Sequence, residues 1–241
     1  MRYELYYWPT IQGRGEFVRL ALEEAGADYA DVARETGRGK GVAALMALMT
    51  GRDTIRPPFA PPFLKAGRQI IGQTANILAF LGPRHGLVPA GEPGWLWANQ
   101  LQLTIADLVD EAHDTHHPIA SSLYYEDQKA EAKRRSADFV KTRIPKYIAH
   151  FEAVLARGGG RYLAGGRLTY PDLSLFQAVE GLRYAFPRAM KRIERKHPNV
   201  VALHDRVAAR PRIAAYLASD RRIPFNEDGI SRHYRELEPK R

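Results

Sequence analysis

The chain has 241 residues, 45% of them hydrophobic and 26% charged, with a net charge of +9, the composition of a globular protein able to bury a sizeable core. It has no cysteine, which excludes disulfides, thiolate metal sites, a cysteine nucleophile and thiol–disulfide exchange by the protein's own sulfur. The longest apolar run, Val42–Met49, is far shorter than the ~20 residues of a membrane span, and the N-terminus opens on a strand-like pattern, so a cytoplasmic protein without signal peptide or membrane partner is expected.

Arg2–Trp8 is aromatic and β-favouring, a first strand ended by Pro9. Gly13 and Gly15 bracket a turn, and Glu16–Ala25 carries Phe17, Leu20 and Ala21 at helical spacing, with Gly26 placed to end the helix. Asp28–Ala33 is a short second strand. Together these form a β-α-β unit with a right-handed crossover. Thr36–Arg56 is rich in Gly and Arg and is expected to be irregular around one helical run, Val42–Met49.

Ala60–Leu81 is the most informative stretch. Pro61-Pro62 precedes a short apolar strand, Ala66-Gly67 makes a tight turn, and the β-branched Ile70 and Ile71 suit a returning strand. Gly72-Gln73-Thr74 then opens a helix in which Ile77, Leu78 and Leu81 repeat, with Thr74 placed as its N-cap. A helix start carries unpaired N–H groups and partial positive charge, a natural seat for a ligand carboxylate. The order βαβ-(α)-ββα over residues 1–82 is the thioredoxin-like arrangement.

Gly82–Pro93 reads as a linker. Residues 93–222 read as an all-helical bundle domain. Trp95–Thr115 is a long amphipathic helix, and Gln128–Leu155 is another, bent near Pro145. Gly158–Gly160 is a loop. In Leu168-Thr169-Tyr170-Pro171-Asp172-Leu173, Thr169 and Asp172 take the two positions of a capping box, Leu168 and Leu173 those of a hydrophobic staple, and Pro171 lies in the first turn. Shorter helices follow at Val200–Ala209 and Arg212–Ala218, and residues 223–241 read as an extended tail.

Two charged features stand out. Residues 187–222 hold 10 basic and 3 acidic residues. Without aromatic interleaving or a known motif, they read as a solvated helix face or an attractor of anionic substrates rather than a nucleic-acid surface. Asp110, His113, Asp114, His116 and His117 have spacings that could put several on one helix face, as metal ligands do. A polar face or loop is the commoner reading, and no metal is assigned.

Pro62-Phe63-Leu64, a turn glycine, a strand and Gln73-Thr74 opening a helix resemble the glutathione-binding half of cytosolic glutathione S-transferases. Tyr7-Trp8-Pro9 resembles the Tyr-Phe-Pro of the tyrosine-type classes, and the capping box resembles the folding motif of the family's helical domain. The resemblance spans nearly the whole chain, which looks like a bacterial member. It implies a transferase in which the Tyr7 hydroxyl holds glutathione as thiolate for attack on a hydrophobic electrophile, in detoxification. Tyr6, on the opposite face, is a packing residue. The resemblance further implies a cis Pro62, Arg14 orienting the glutamyl end or stabilising the Tyr7 environment, and Gln73 and Thr74 holding the γ-glutamyl group. It gives the glycyl carboxylate to Lys40, with Arg56 behind it. Asp107 would reach the glutamyl amino group of a neighbouring subunit's glutathione in a homodimer. Trp8, His113 and His117 would border the second-substrate site. The residue before the cis proline usually pairs its N–H and C=O with the peptide, but here it is Pro61, which has no N–H to give. No cofactor is implied beyond glutathione as co-substrate. The alternative is a non-catalytic protein of the same fold that binds glutathione or hydrophobic ligands.

Overall fold

The computed structural model describes residues 2–51 and 54–238. Strands β1 (Tyr3–Tyr6), β2 (Tyr29–Asp31), β3 (Phe63–Ala66) and β4 (Gln69–Gly72) form one sheet in the order β2-β1-β3-β4. β1 runs parallel to β2, as the β-α-β signal requires, β3 and β4 are antiparallel, as the hairpin signal requires, and β1 pairs antiparallel with β3. Helices α1 (Gly15–Ala25), α2 (Gly41–Thr50) and α3 (Thr74–His85) complete the N-terminal half. Alternation along β1 splits its side chains between two cores. Tyr3 and Leu5 join the large one, whereas Tyr6 joins a smaller one with Phe63 and Leu45. Tyr6 stacks on Phe63 with ring centroids 4.8 Å apart and donates to Glu4 at 2.6 Å, the packing role expected of it.

Several boundaries differ from the sequence reading. The second strand stops at Asp31 because Val32–Arg34 turns into a single 3₁₀ turn, closed by Glu35 N–H to the Val32 carbonyl. The hairpin turn falls on Gly67 and Arg68, with Ala66 and Gln69 paired across it. α3 runs through Pro83 to His85, so the expected linker shrinks to the few residues before α4. Gly86, at φ 66°, ends the helix, and the Leu87 N–H caps the Gly82 carbonyl at 2.8 Å.

The helical half begins with α4 (Glu92–Asp114), 23 residues long. The expected bent helix is α5 (Lys129–Asp138) and α6 (Ile144–Arg157), joined by a π-helical turn, Phe139–Arg143. The widened turn sits just before Pro145, which cannot donate to the helical ladder. α7 (Tyr170–Ala185) is almost entirely buried. Asp172 accepts from the Thr169 backbone N–H at 2.7 Å, the Thr169 hydroxyl at 2.6 Å and the Leu163 N–H at 2.8 Å, so the predicted box also pins the preceding loop. α8 (Pro187–Glu194), α9 (Pro198–Ala208) and α10 (Pro211–Leu217) each begin on a proline, where the missing N–H costs nothing. α8 has no counterpart in the sequence reading: its cationic residues hide a short apolar edge, buried Ala189 and Met190.

Two expectations are corrected. The basic stretch is not simply a solvated face. Arg210, Arg221 and Arg222 pair with Glu24, Glu23 and Glu16 of α1 and tie the helical half to the sheet half. The stretch from 223 is extended but not free. Glu238 is buried against Arg188 and the Ala189 N–H, and Tyr234 stacks on Tyr125 at 3.9 Å.

Asp172→Asn replaces an acceptor facing three donors by a group that can satisfy only some of them. Unfolding in urea is expected to show a loss of about 2–3 kcal/mol. A change within about 0.5 kcal/mol would remove Asp172 from its structural role.

Candidate active site

The chain leaves β1 into a loop that folds back over Tyr7. Gly13, at φ 44°, and Gly15 lie so close to the ring that a Cβ would fall 2.0 Å from the hydroxyl at Gly13 and 2.5 Å from ring carbons at Gly15. Only glycine lets the backbone approach this way. The Tyr7 hydroxyl accepts from the Arg14 backbone N–H at 2.9 Å. Tyr7 is 4% exposed. Burial raises its pKa above the ordinary phenol value, while the Arg14 N–H pulls the other way. The hydroxyl therefore keeps its proton at neutral pH, and among the described residues its O–H has no acceptor.

Past Arg14, a cleft of about 520 Å³ runs between the two halves; Tyr7 itself does not line it and is linked to it through the Arg14 backbone. Arg14 and Phe17 line it from the start of α1 and the residue before it, Gln73 and Thr74 from the start of α3, and Gln102 and Asp110 from α4. Arg14 reaches across to an ion pair with Asp110. The N-cap of α3 is Gln73 rather than Thr74, which is the first helical residue and donates its hydroxyl to the Arg14 carbonyl at 3.4 Å. Gln73 holds φ 69° without being glycine. Such backbone costs on the order of 1–3 kcal/mol and persists where the surroundings enforce it. Here it turns the exposed amide and the helix start toward one cleft. The Pro61–Pro62 bond is cis, at the entry to β3.

The remaining expected residues are scattered. Lys40 is paired with Glu35 in a separate groove beside Arg2 and Glu4, away from the cleft; the sequence could not show that its segment turns to that side. Arg56 is exposed. Asp107 lies on an exposed face of α4, while Asp110, one turn on, is the carboxylate that meets Arg14. The i, i+3 relation was visible in the sequence, but which turn faces α1 was not.

Trp8 is 37% exposed. His113 and His117 stack at 4.8 Å, with His116 edge-on to both. None of the three lines the cleft. Burial lowers the His116 pKa to about 3 and that of His117 to about 4, with His113 also lowered by burial and by Arg14. A smaller cavity of about 40 Å³ lies beneath the C-terminal stretch, bounded by Gln12, Gly13, Gln177, Phe225 and Ile230. Sequence reasoning missed it because its roof is the folded-back tail.

A family model described as glutathione S-transferase, C-terminal domain, matches residues 113–220. Glutathione S-transferase alpha I of Oryctolagus cuniculus is 30% identical over 234 residues, covering 96% of both chains. Glutathione S-transferase P 10 of Caenorhabditis elegans is 25% identical over 215 residues, covering 89% of this chain and 90% of its own. The Pi-class glutathione S-transferase of Onchocerca volvulus superposes with a TM-score of 0.68 at 22% identity, over 90% of this chain and 92% of its own. Prostaglandin synthase D of Nilaparvata lugens superposes with a TM-score of 0.71 at 21% identity, over 93% and 100%. These relatives are animal proteins, where the sequence alone suggested a bacterial look. With a 30% identical relative matched almost end to end and the sheet-plus-bundle fold in place, the chain belongs to the glutathione S-transferase family.

Proposed function

We propose that the protein is a tyrosine-type glutathione transferase that joins the thiolate of glutathione to a hydrophobic electrophile. The observation that carries this reading is the Tyr7 hydroxyl: buried, protonated, oriented by the Arg14 N–H and free to donate. A free thiol with a pKa near ~8.5 is only a few per cent ionised at neutral pH. One charge-assisted hydrogen bond contributes ~1.5–3 kcal/mol. At about 1.4 kcal/mol per pKa unit, that is enough to lower the thiol pKa by one to two units.

The γ-glutamyl end fits the cleft where Gln73, Thr74 and Arg14 converge. The start of α3 offers its N–H groups to the carboxylate. Pro61 leaves its carbonyl to accept from the peptide. The glycyl carboxylate is not assigned to Lys40, which is already paired elsewhere. Glutathione serves as co-substrate, the working location is the cytoplasm, and the role is detoxification. The assembly is a homodimer in which Asp107 faces the partner's glutathione. Supporting a self-interface, Ile55 and Phe59 are 96% and 92% exposed, and Leu103 on α4 is half exposed.

Tyr7→Phe removes one hydroxyl and little volume, so the fold is expected to survive. If Tyr7 holds the thiolate, the bound thiol's pKa rises by one to two units, and conjugation of an aryl halide at neutral pH falls roughly tenfold to a hundredfold. Raising the pH restores much of the rate, because hydroxide then ionises the thiol. Glutathione affinity changes far less. Titrating the thiolate's ultraviolet absorbance in both proteins measures this directly, and superimposable curves would remove Tyr7 from the mechanism. A wild type that binds glutathione without conjugating any electrophile would favour the non-catalytic reading.

Light scattering at micromolar concentration is expected to give twice the 27.2 kDa chain mass. A monomer that still binds glutathione normally would end the shared-site reading.

A further inference from the structure

His113, His116 and His117 fall within five residues at the end of α4, and the fold brings their rings together. One ring nitrogen from each lies within 4.8 Å of the other two. The closest pair is His116 Nδ1 and His117 Nδ1, at 2.5 Å. We propose that these three imidazoles form a binding site for a divalent first-row transition cation of the zinc class, apart from the glutathione cleft.

Three features point to this ligand. First, a backbone carbonyl fixes the tautomer of His116. The Ile230 carbonyl only accepts, so the 2.7 Å contact requires His116 Nε2 to carry the proton. His116 Nδ1 then holds a lone pair that accepts from His117 Nδ1–H; a bound cation would take that proton's place, with His117 protonated on Nε2 instead. An outer N–H given to a carbonyl is the usual arrangement behind a metal-bound histidine. Second, the spacing is right. Zinc–imidazole bonds of ~2.0–2.1 Å at tetrahedral angles put ligand nitrogens ~3.3 Å apart. The separations here run from 2.5 to 4.8 Å, so small ring rotations about a common centre suffice. Third, the donor set is all imidazole, which suits zinc, copper and nickel rather than magnesium or calcium. Three protein ligands leave a fourth position for water. Asp114 lies 3.7 Å from His113 Nδ1 and favours a cation, whereas the nearby Arg14 and Arg232 oppose one. Because Ile230 belongs to the stretch that roofs the small cavity, an occupied site would fasten that roof to α4.

The test uses untagged full-length protein, stripped with a chelator and free of glutathione, which itself binds zinc. Calorimetric titration with zinc chloride is expected to show one saturable equivalent per chain. Cobalt chloride is expected to give the intense visible bands of a four-coordinate centre. His113→Gln and His117→Gln, in half-buried positions, are each expected to weaken zinc binding at least about tenfold while leaving the far-ultraviolet circular dichroism unchanged. His150→Gln, on the exposed side of α6, is expected to change nothing. Absence of saturable zinc binding by the wild type would overturn the proposal. So would equal binding by a folded His113→Gln/His117→Gln double variant.

Discussion

Glu16 lies fully buried in the first turn of α1, where its carboxylate accepts from the Tyr216 hydroxyl at 2.7 Å, from Arg222 and from Arg19 at 3.2 Å. Arg19, also fully buried, continues to Asp31 at the end of β2 at 2.7 Å. Each charge has left water, which costs several kcal/mol unless its neighbours replace the lost hydration. The replacement comes from both halves of the molecule: α1 and β2 on one side, α10 and the segment after it on the other. Neither half can satisfy Glu16 alone. The cluster thus sets where α1 sits against the bundle, in a way that apolar contact alone would not.

That placement reaches the site directly. Arg14, just before α1, supplies the N–H that orients Tyr7, and its side chain crosses to Asp110 of α4. Phe17, one residue past Glu16, lines both the cleft and the small cavity. The Arg19 guanidinium stands 5.8 Å from the centre of the Tyr7 ring. A shift of α1 would therefore move the hydroxyl's support, the cleft wall and the cavity floor together. One side of the cleft, with Gln73 and Thr74, belongs to the sheet half, and the other is α4, whereas the folded-back chain end bounds only the small cavity.

The local features were legible where chemistry acts over a few residues. Alternation placed Tyr6 and Tyr7 on opposite faces, and the glycines at 13 and 15 marked a turn, which the structure folds against the Tyr7 ring. Thr169 and Asp172 marked a helix start. Gln73-Thr74 marked another, though the structure moves the cap one residue earlier, because Gln73 takes up the positive φ. Less legible were features whose partners lie far along the chain. The basic stretch after residue 187 carried no sign that three of its arginines face three glutamates 186 to 206 residues earlier, since charge reads the same whether solvated or paired. Lys40 shows the same limit: its segment's composition allowed a cation near the ligand, and its actual neighbour is Glu35.

By itself the sequence determined the order of the strands and of every helix but α8, the sheet-then-bundle division, and a tyrosine at the end of the first strand, and its motifs carried the resemblance to the family. These follow from periodicity, turn chemistry and short motifs, all of which act through neighbours in the chain. Tertiary structure alone decided which carboxylate of α4 meets Arg14, that residues 224–231 help enclose a cavity, and that three histidines share one centre. Those outcomes depend on how a helix is rotated and where a distant segment lands. Both are set by the joint burial of many side chains, which no local pattern encodes.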